Sequence, residues 1–318
     1  MFPFPDGKRF AFTILDDTDV GTVSNLRPMY ELLDSLGMKA TKTVWPMSCP
    51  EGSRNFSLSQ TLDDPDYLAF VLDLQSRGFE IASHGATMES SSRERTRGGL
   101  EKFEAIFGGP PKVYANHAEN RECLYWGPRR IDLPFLGRLY CGVTGIPPEH
   151  YVGHVEGSEY FWGDLCVERI TYVRNLTFSN INTAAVNPSM PYRDPSRPWV
   201  PWWFSASDAE DAREFAELIC PEQQESLERE GGVCIVATHF GKRFVDGGDV
   251  VPLVRQRLER LASRPGWFPT VGELLDTMRA RRTTETLPAA EWRRMQLLWA
   301  RDLVARRLAA RRARRRAG

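Results

Sequence analysis

Short apolar runs alternate with amphipathic segments along most of the chain. The apolar runs predict strands over residues 8–15, 40–44, 79–82, 112–115, 199–204 and 233–238. Apolar residues at helical spacing predict helices over 24–36, 66–76, 93–107, 208–230, a segment after Pro252, and 271–281. Because strands that alternate with helices pair in parallel, the pattern indicates an α/β fold, and the number of units favours a closed or nearly closed barrel.

Residues 121–200 have no such periodicity. Pro, Gly and Asn interrupt short apolar runs at 169–173 and 182–186, so we expect only a mixture of strand, loop and short helix there.

Composition narrows the class of protein. With 318 residues, 42% of them hydrophobic, the chain can bury a substantial core. No apolar stretch is long enough to span a membrane, and the first strand begins too early to leave room for a signal peptide, so we expect a soluble, cytoplasmic protein. The six cysteines are scattered singly, which is typical of buried reduced thiols rather than of a zinc knuckle.

The net charge of −1 conceals an acidic body and a basic C-terminus. Residues 279–318 contain 13 Arg and three acidic residues, and the acidic remainder argues against a nucleic-acid partner. Apolar residues at helical spacing (Trp292, Met295, Trp299 and Leu303) predict an amphipathic helix over 289–316, fraying beyond about Ala309. This tail, 283–318, could lie on an anionic membrane or on the acidic body of the same or another subunit, and the barrel would cover 1–282.

Polar residues follow several of the predicted strands. Asp16, Asp17 and Asp19 come directly after the first strand, where three neighbouring carboxylates repel one another unless a metal ion or a proton relieves them. The carboxyl ends of parallel strands meet at one rim of a barrel, so these side chains would share a cleft with polar groups from later strands.

Three histidines occupy similar positions after later strands. His84 and His117 each lie in a turn after a short strand, and two imidazoles with a carboxylate can hold Zn²⁺ with one position open for substrate. His239 follows the strand over 233–238 and could donate a proton to a leaving group. Each could instead be a hydrogen-bonded rim histidine.

These motifs resemble those of the polysaccharide deacetylases, the NodB-homology or carbohydrate esterase family four group. The resemblance covers about 8–282 and rests on the Asp16–Asp17 pair, the His84 turn, the lone His239 and the stretch GWFPTVGELL over 266–275. It implies a distorted, partly open (β/α)7-type barrel, here followed by the basic helical tail. It also implies metal-dependent removal of an acyl group from an N-acylated sugar, a nucleotide-linked sugar or a related small molecule.

The resemblance also implies roles for individual residues. Asp16 would be the general base, Asp17 a metal ligand and His239 the general acid. The usual second metal-binding histidine is replaced by Met88, whose thioether is a poor ligand for Zn²⁺. We therefore infer that His117 substitutes for it, so that Asp17, His84 and His117 hold a divalent metal, most simply Zn²⁺.

Further residues are candidates for binding the substrate. Polar side chains after the fourth strand could bind sugar hydroxyls, tryptophans could stack on a sugar ring, and a lysine could contact an anionic group, although core or surface positions are the alternatives. The candidates are Asp19, Lys42, Trp45, Asn116, Glu119, Asn120, Trp202 and Trp203. Two other functions stay open: a different C–N hydrolase on the same fold, and a metal-free binding or scaffold protein, which Met88 favours.

Overall fold

Seven parallel strands form a closed barrel in the computed structural model, which describes residues 4–317 and the side chains of 4–306. β1 pairs with β7 along nearly its whole length, from Ala11 opposite Val233 to Asp16 opposite Thr238, and this pairing closes the barrel. The predicted (β/α)7-type barrel is confirmed, and the pairing of β1 with β7 makes it closed where a partly open barrel was expected. Its strands are β1 (Phe10–Asp16), β2 (Thr41–Val44), β3 (Glu80–Ser83), β4 (Val113–Tyr114), β5 (Tyr172–Phe178), β6 (Trp202–Asp208) and β7 (Val233–Thr238).

Three short strands lie outside this ring. β8 (Val245–Asp246) and β9 (Asp249–Val250) form a hairpin, and β10 (Gly266–Trp267) pairs with the beginning of β1, whose end pairs with β2.

Helices surround the barrel. The predicted helix over 208–230 is two helices, because Pro221 has no N–H to continue the first and starts the second. The irregular region 121–200 contains β5, three α-helices and two short 3₁₀ helices, Gly127–Arg130 and Pro148–His150. The helices are α1 (Val23–Ser35), α2 (Pro65–Ser76), α3 (Arg93–Phe107), α4 (Pro134–Thr144), α5 (Gly163–Arg169), α6 (Thr183–Val186), α7 (Ala212–Leu218), α8 (Pro221–Glu230), α9 (Pro252–Ala262), α10 (Val271–Arg279) and α11 (Ala289–Ala317).

The C-terminal helix α11 lies along the body of its own chain. Trp292, Met295 and Trp299 are buried in a cluster with Leu176 and Phe178 of β5 and with residues of α4. The predicted fraying beyond Ala309 lies outside the residues whose side chains are described. No helix in the described part of the chain combines the length and apolarity needed to cross a membrane. Contact of the tail with a membrane or another subunit stays a prediction.

The pleat of β1 sends alternate side chains to opposite sides of the barrel wall. Phe12 and Ile14 face outward into the layer shared with α1 and α2, whereas Ala11 and Leu15 face the interior, which the residues of α10 fill from below. Asp16 therefore faces outward and Asp17 inward.

Asp16 forms a buried ion pair behind the barrel wall. Its Oδ2 lies 3.1 Å from Nζ of Lys42, its register partner on β2, and neither side chain has any exposed surface. Tyr30 Oη and the Phe240 amide also donate to the carboxylate, at 2.9 and 2.8 Å. Burial raises the pKa of Asp16, and Lys42 opposes that shift only in part. Asp16 and Lys42 thus hold β1, β2 and α1 together, and the predictions that they act as a base and as a substrate contact are corrected.

Replacing Lys42 with Met should destabilise the fold, because the Asp16 carboxylate would remain buried without its counter-charge. We expect the free energy of unfolding to fall by about 3–5 kcal/mol in urea denaturation, as for other broken buried pairs. Lys8→Met, at an exposed lysine, is the matched control and should change it by less than about 0.5 kcal/mol. Equal effects of the two substitutions would contradict the structural role of the pair.

Candidate functional site

A cavity of about 310 Å³ opens at the carboxyl ends of the barrel strands. Asp17 and Asp19 reach it from the end of β1, His84 from β3, and His239 from β7, as expected for an α/β barrel. The other lining residues are Asn116, His117, Ala118, Glu119, Trp126, Arg174, Thr177, Asp208, Glu210, Ala237 and Lys242.

A bidentate ion pair joins Asp17 to Arg174 across the mouth of the barrel. Arg174 Nη1 and Nη2 lie 2.9 and 2.7 Å from the two carboxylate oxygens, and both side chains are buried. Burial alone would raise the pKa of Asp17, but the guanidinium of Arg174 outweighs it and lowers that pKa below 3.8. Asp17 is therefore an ionised carboxylate in the cavity wall.

Asp17 does not share its oxygens closely with the histidines. The nearest ring nitrogen, Nδ1 of His84, is 4.0 Å from Asp17 Oδ1 and is already 2.8 Å from the Ala115 carbonyl. The predicted ligand set of Asp17, His84 and His117 is thus corrected at its carboxylate.

The carboxylate of Asp19 is the one that meets the histidines. Nε2 of His84 lies 3.4 Å from Asp19 Oδ1, while Nε2 of His117 and of His239 lie 3.7 and 3.4 Å from Oδ2. Oδ1 is buried and makes no hydrogen bond. These separations are longer than an ordinary N–H···O hydrogen bond. The side chains of Asp19, His84, His117 and His239, named here the Asp19 cluster, thus surround a common point but do not hydrogen-bond directly to one another.

The other ring nitrogen of each histidine contacts an oxygen acceptor. Nδ1 of His84, His117 and His239 lies 2.8 Å from the Ala115 carbonyl, 3.0 Å from Asn120 Oδ1 and 3.0 Å from the Glu210 carbonyl. A carbonyl accepts only from a protonated nitrogen, so Nδ1 of His84 and His239 carries hydrogen, and Asn120 assigns the same tautomer to His117. When a ring is neutral, its Nε2 carries no hydrogen, and the lone pair of Nε2 points toward Asp19.

Burial and nearby charges shift the pKa values of His117 and His239 in opposite directions. Burial lowers the pKa of His117 below 6.5, and the nearby Asp19 only partly opposes this. Burial also acts to lower the pKa of His239, but its contact with Asp19 and the charge of Asp17 prevail and raise it. Burial also acts to raise the pKa of Asp19, but its contacts with the three histidines outweigh burial and hold that pKa well below 3.8. Asp19 is thus an anion, which Lys242 at 4.0 Å balances in part and which a proton on His239 or a bound cation can balance further.

The Asp19 cluster supplies the donors that Zn²⁺ prefers, imidazole nitrogen and carboxylate oxygen. Two ligand atoms of a tetrahedral zinc site lie about 3.4 Å apart, given bonds of about 2.0–2.1 Å, which matches the separations around Asp19. As the side chains of residues 4–306 stand, however, no group of three or more His, Cys, Asp and Glu could hold a metal ion. Binding would require them to close around one point. Met88 takes no part, since its Sδ faces Ser59 Oγ at 3.9 Å.

Solved structures of other proteins share the fold of this chain. No family model and no curated protein matches the sequence. A protein from Mycobacterium smegmatis described as a polysaccharide deacetylase has a similar structure, with TM-score 0.52, 14% identity, and coverage of 90% of this chain and 96% of that one. Another so described, from Pseudomonas aeruginosa PAO1, has TM-score 0.51, 11% identity, and coverage of 88% and 94%.

The chain has the fold of a polysaccharide deacetylase. An allantoinase shares it, with TM-score 0.50, 12% identity, and coverage of 88% of this chain and 93% of that chain. The predicted resemblance is therefore confirmed for the architecture, which does not by itself fix the reaction.

The polar candidates for substrate binding lie at or near the cavity of this deacetylase fold. Asn116 and Glu119 line it. Asn120 stands behind His117, where its amide donates to Glu122 Oε1 at 2.9 Å while its oxygen contacts His117 Nδ1. Burial raises the pKa of Glu122 to about 7. Asn120 orients His117, and its prediction as a substrate contact is corrected.

None of the three tryptophans predicted to stack on a substrate lines the cavity. Trp45 packs against the rings of His84 and His117, with centroids 4.8 and 5.3 Å away. Trp203 is buried in the core. Trp202 begins β6, at the end of the barrel opposite the cavity, with Arg193 and Arg279 over its ring. These three assignments are corrected, because Trp45 and Trp203 are buried and the partly exposed Trp202 lies at the other end of the barrel.

Several cavity residues were not predicted from the sequence. Arg174 had one usable signal, a cation within the apolar run of β5, but that run lies in the region without periodicity. Lys242 lies 2.5 Å from Glu210 and 4.0 Å from Asp19, in a loop without a recognisable pattern. Trp126 likewise lies in a loop.

The histidines of the Asp19 cluster should titrate apart in metal-free protein. We expect the midpoint of His239 to lie above 6.5, since protonation pairs it with Asp19, and that of His117 below 6.5, since burial disfavours its charge. Imidazole ¹H–¹⁵N spectra recorded against pH, assigned with His→Gln variants, measure both. Coincident midpoints near 6.5 would show that water reaches the rings freely.

Proposed function

We propose that this protein is a metal-dependent amide hydrolase that removes an acyl group from an N-acylated sugar, a nucleotide-linked sugar or a related small molecule inside the cell. The observation that carries the proposal is the Asp19 cluster, in which three imidazole Nε2 atoms converge on one buried carboxylate. Neutral imidazoles and an anionic carboxylate repel one another at that range, so the arrangement favours a bound cation.

Asp19, His84 and His117 would hold the cation, most simply Zn²⁺. Their Nδ1 contacts with backbone and amide oxygens are the outer hydrogen bonds that orient histidine ligands in metal sites. The cation, when bound, would polarise the acyl oxygen and make a water molecule more acidic.

Asp17 would be the general base. It borders the same cavity as the Asp19 cluster, and Arg174 keeps it ionised and fixes the direction of its oxygens. An ionised carboxylate so placed can accept the proton of an attacking water. The role moves from Asp16 to Asp17 because only Asp17 faces the barrel interior.

His239 would be the general acid. Its ring lines the cavity, its Nδ1 contacts the Glu210 carbonyl, and, against the effect of burial, the charge of Asp17 acts to raise its pKa. It can therefore give a proton to the departing amine as the bond between the acyl carbon and nitrogen breaks.

Two other functions have specific support. The likeness in fold to an allantoinase extends the candidate substrates to other C–N bonds. The fact that no side-chain group in the described part of the chain could hold a metal as it stands favours a binding protein in which protons, and not a metal, balance Asp19.

Acetate release separates the hydrolase from the binding protein. We expect the purified protein to release acetate from at least one compound in a panel of N-acetylated sugars and nucleotide sugars, and to lose this activity with a chelator. Asp17→Asn should lower kcat by about 10²–10⁴-fold, as expected for loss of a general base.

Asp16→Asn is the matched control at the neighbouring carboxylate. It should keep kcat within about tenfold of wild type, because Asp16 lies behind the wall and bears on stability rather than on proton transfer. A larger loss of kcat in folded Asp16→Asn than in folded Asp17→Asn, compared at equal folded fraction by circular dichroism, would refute the assignment of the base.

Metal content tests the ligand set directly. We expect one equivalent of zinc or a similar divalent metal per chain by elemental analysis, lost in His84→Ala and in His117→Ala because each removes one ligand donor. His150→Ala, at a histidine outside the cluster, should keep the metal. A folded protein that binds no added Zn²⁺ in calorimetric titration would leave the metal-free binding protein as the better account.

A further inference from the structure

Helix α11 has no place in the proposed reaction, yet it reaches the wall of the cavity. The link runs through Arg130, whose guanidinium carbon lies 4.0 Å from the ring centre of Trp126 and 5.1 Å from that of Trp299 on α11. Trp126 lines the cavity. A buried cation therefore joins the helix to an aromatic side chain of the site.

Arg130 is an unusual residue to find at this position. It is 5% exposed and, among the described residues, has no ion-pair partner; its Nη1 donates to the Asn175 carbonyl at 3.0 Å. Burial lowers its pKa to about 10, so it remains charged at neutral pH. A buried cation without a carboxylate depends on the electron-rich faces of neighbouring rings, and the two indoles supply them.

Trp299 is itself firmly placed. It is 2% exposed, and its ring lies 5.8 Å from that of Tyr140 on α4, nearly parallel to it. Nearby, Gln296 accepts hydrogen bonds from the amides of Asp132 and Leu133, which precede α4. Farther along α11, Arg306 forms an ion pair with Asp208, another residue of the cavity wall.

Trp126 has a distinct place in the cavity. It is the one Phe, Tyr or Trp among the described lining residues, most of which are charged or polar. Arg130 covers one face of the indole, and the side chain is 8% exposed overall, so Trp126 presents only a small apolar surface to the cavity it lines. Indole surfaces pack well against the C–H groups of a ring-shaped substrate.

We propose that Trp299 of α11 is a positioning residue that holds Trp126, through Arg130, where Trp126 contacts the carbon skeleton of the bound substrate. The substrate contact rests on the function proposed above, whereas the positioning of Trp126 does not. The basic C-terminal helix would thus be part of the binding site rather than an appendage to the barrel.

Fluorine NMR of the full-length protein labelled with 5-fluorotryptophan tests the positioning without a substrate. The chain has nine tryptophans, and the resonances of Trp126 and Trp202 are assigned by Trp126→Phe and Trp202→Phe. Trp299→Leu should displace or broaden the Trp126 resonance, while Trp299→Phe, which keeps an aromatic face, should restore it. An unchanged Trp202 resonance, from the far end of the barrel, reports that the variant is folded.

Leu297→Ala is the matched control on the same helix, since Leu297 is 52% exposed and outside the buried cluster. It should leave the Trp126 resonance in place. A Trp126 resonance at the wild-type position in folded Trp299→Leu would overturn the positioning, and so would an equal displacement by Leu297→Ala.

Titration with N-acetyl-D-glucosamine tests the contact. The sugar should shift the Trp126 resonance but not that of Trp202, and its Kd should rise about tenfold in Trp299→Leu, with kcat within about twofold of wild type. Shifts elsewhere in the cavity but not at Trp126 would overturn the contact. If the sugar shifts no resonance and releases no acetate, the proposed function fails for this substrate class, while the comparison of free proteins still decides the positioning.

Discussion

The ion pair between Asp17 and Arg174 is the interaction on which the candidate site depends. It joins residues 157 positions apart in the chain and ties the end of β1 to β5 across the barrel mouth. Each charge would be costly to bury alone, and the bidentate geometry offsets much of that cost. Because Arg174 occupies both oxygens of Asp17, Asp19 is left as the carboxylate that meets the histidines. Because of this one contact, Asp17 pairs with Arg174 and Asp19 faces the histidines.

The rim of the barrel also decides the chemical state of the histidines. The acceptors for Nδ1 of His84 and His239 are backbone carbonyls that follow β4 and β6, so the neighbouring strand ends fix the tautomers. Each ring must then present Nε2 to the centre of the cavity. Whether a metal ion or a proton balances Asp19, these backbone acceptors fix which nitrogen of His84 and His239 faces it.

The sequence predicted which strand ends meet, but not which face each residue presents. The pattern located β7 and α3 with the boundaries observed, because β7 is an unbroken β-rich run and α3 begins after Ser92 and ends at Gly108, residues typical of helix ends. The assignment of Asp16 and Asp17 required the last residue of β1 to be known, since a shift of one position exchanges the two faces. Arg174 was missed because β5 lies in a stretch where turn residues hide the strand. The tryptophans were misplaced because composition does not distinguish a core indole from one beside a cavity.

The charge pattern suggests that helix α11 is separate from the barrel, whereas its packing makes it part of the same folded unit. By charge, the C-terminal 40 residues look separate, with their excess of arginine over an acidic body. By packing, Trp292, Met295 and Trp299 belong to the same cluster as β5 and α4. Burial of large aromatic side chains is worth more than the attraction of solvated arginines, which salt screens. The apolar stripe therefore determines where the helix lies. Because β5 also carries Arg174, the surface that receives α11 is continuous with the strand that fixes Asp17 in the site.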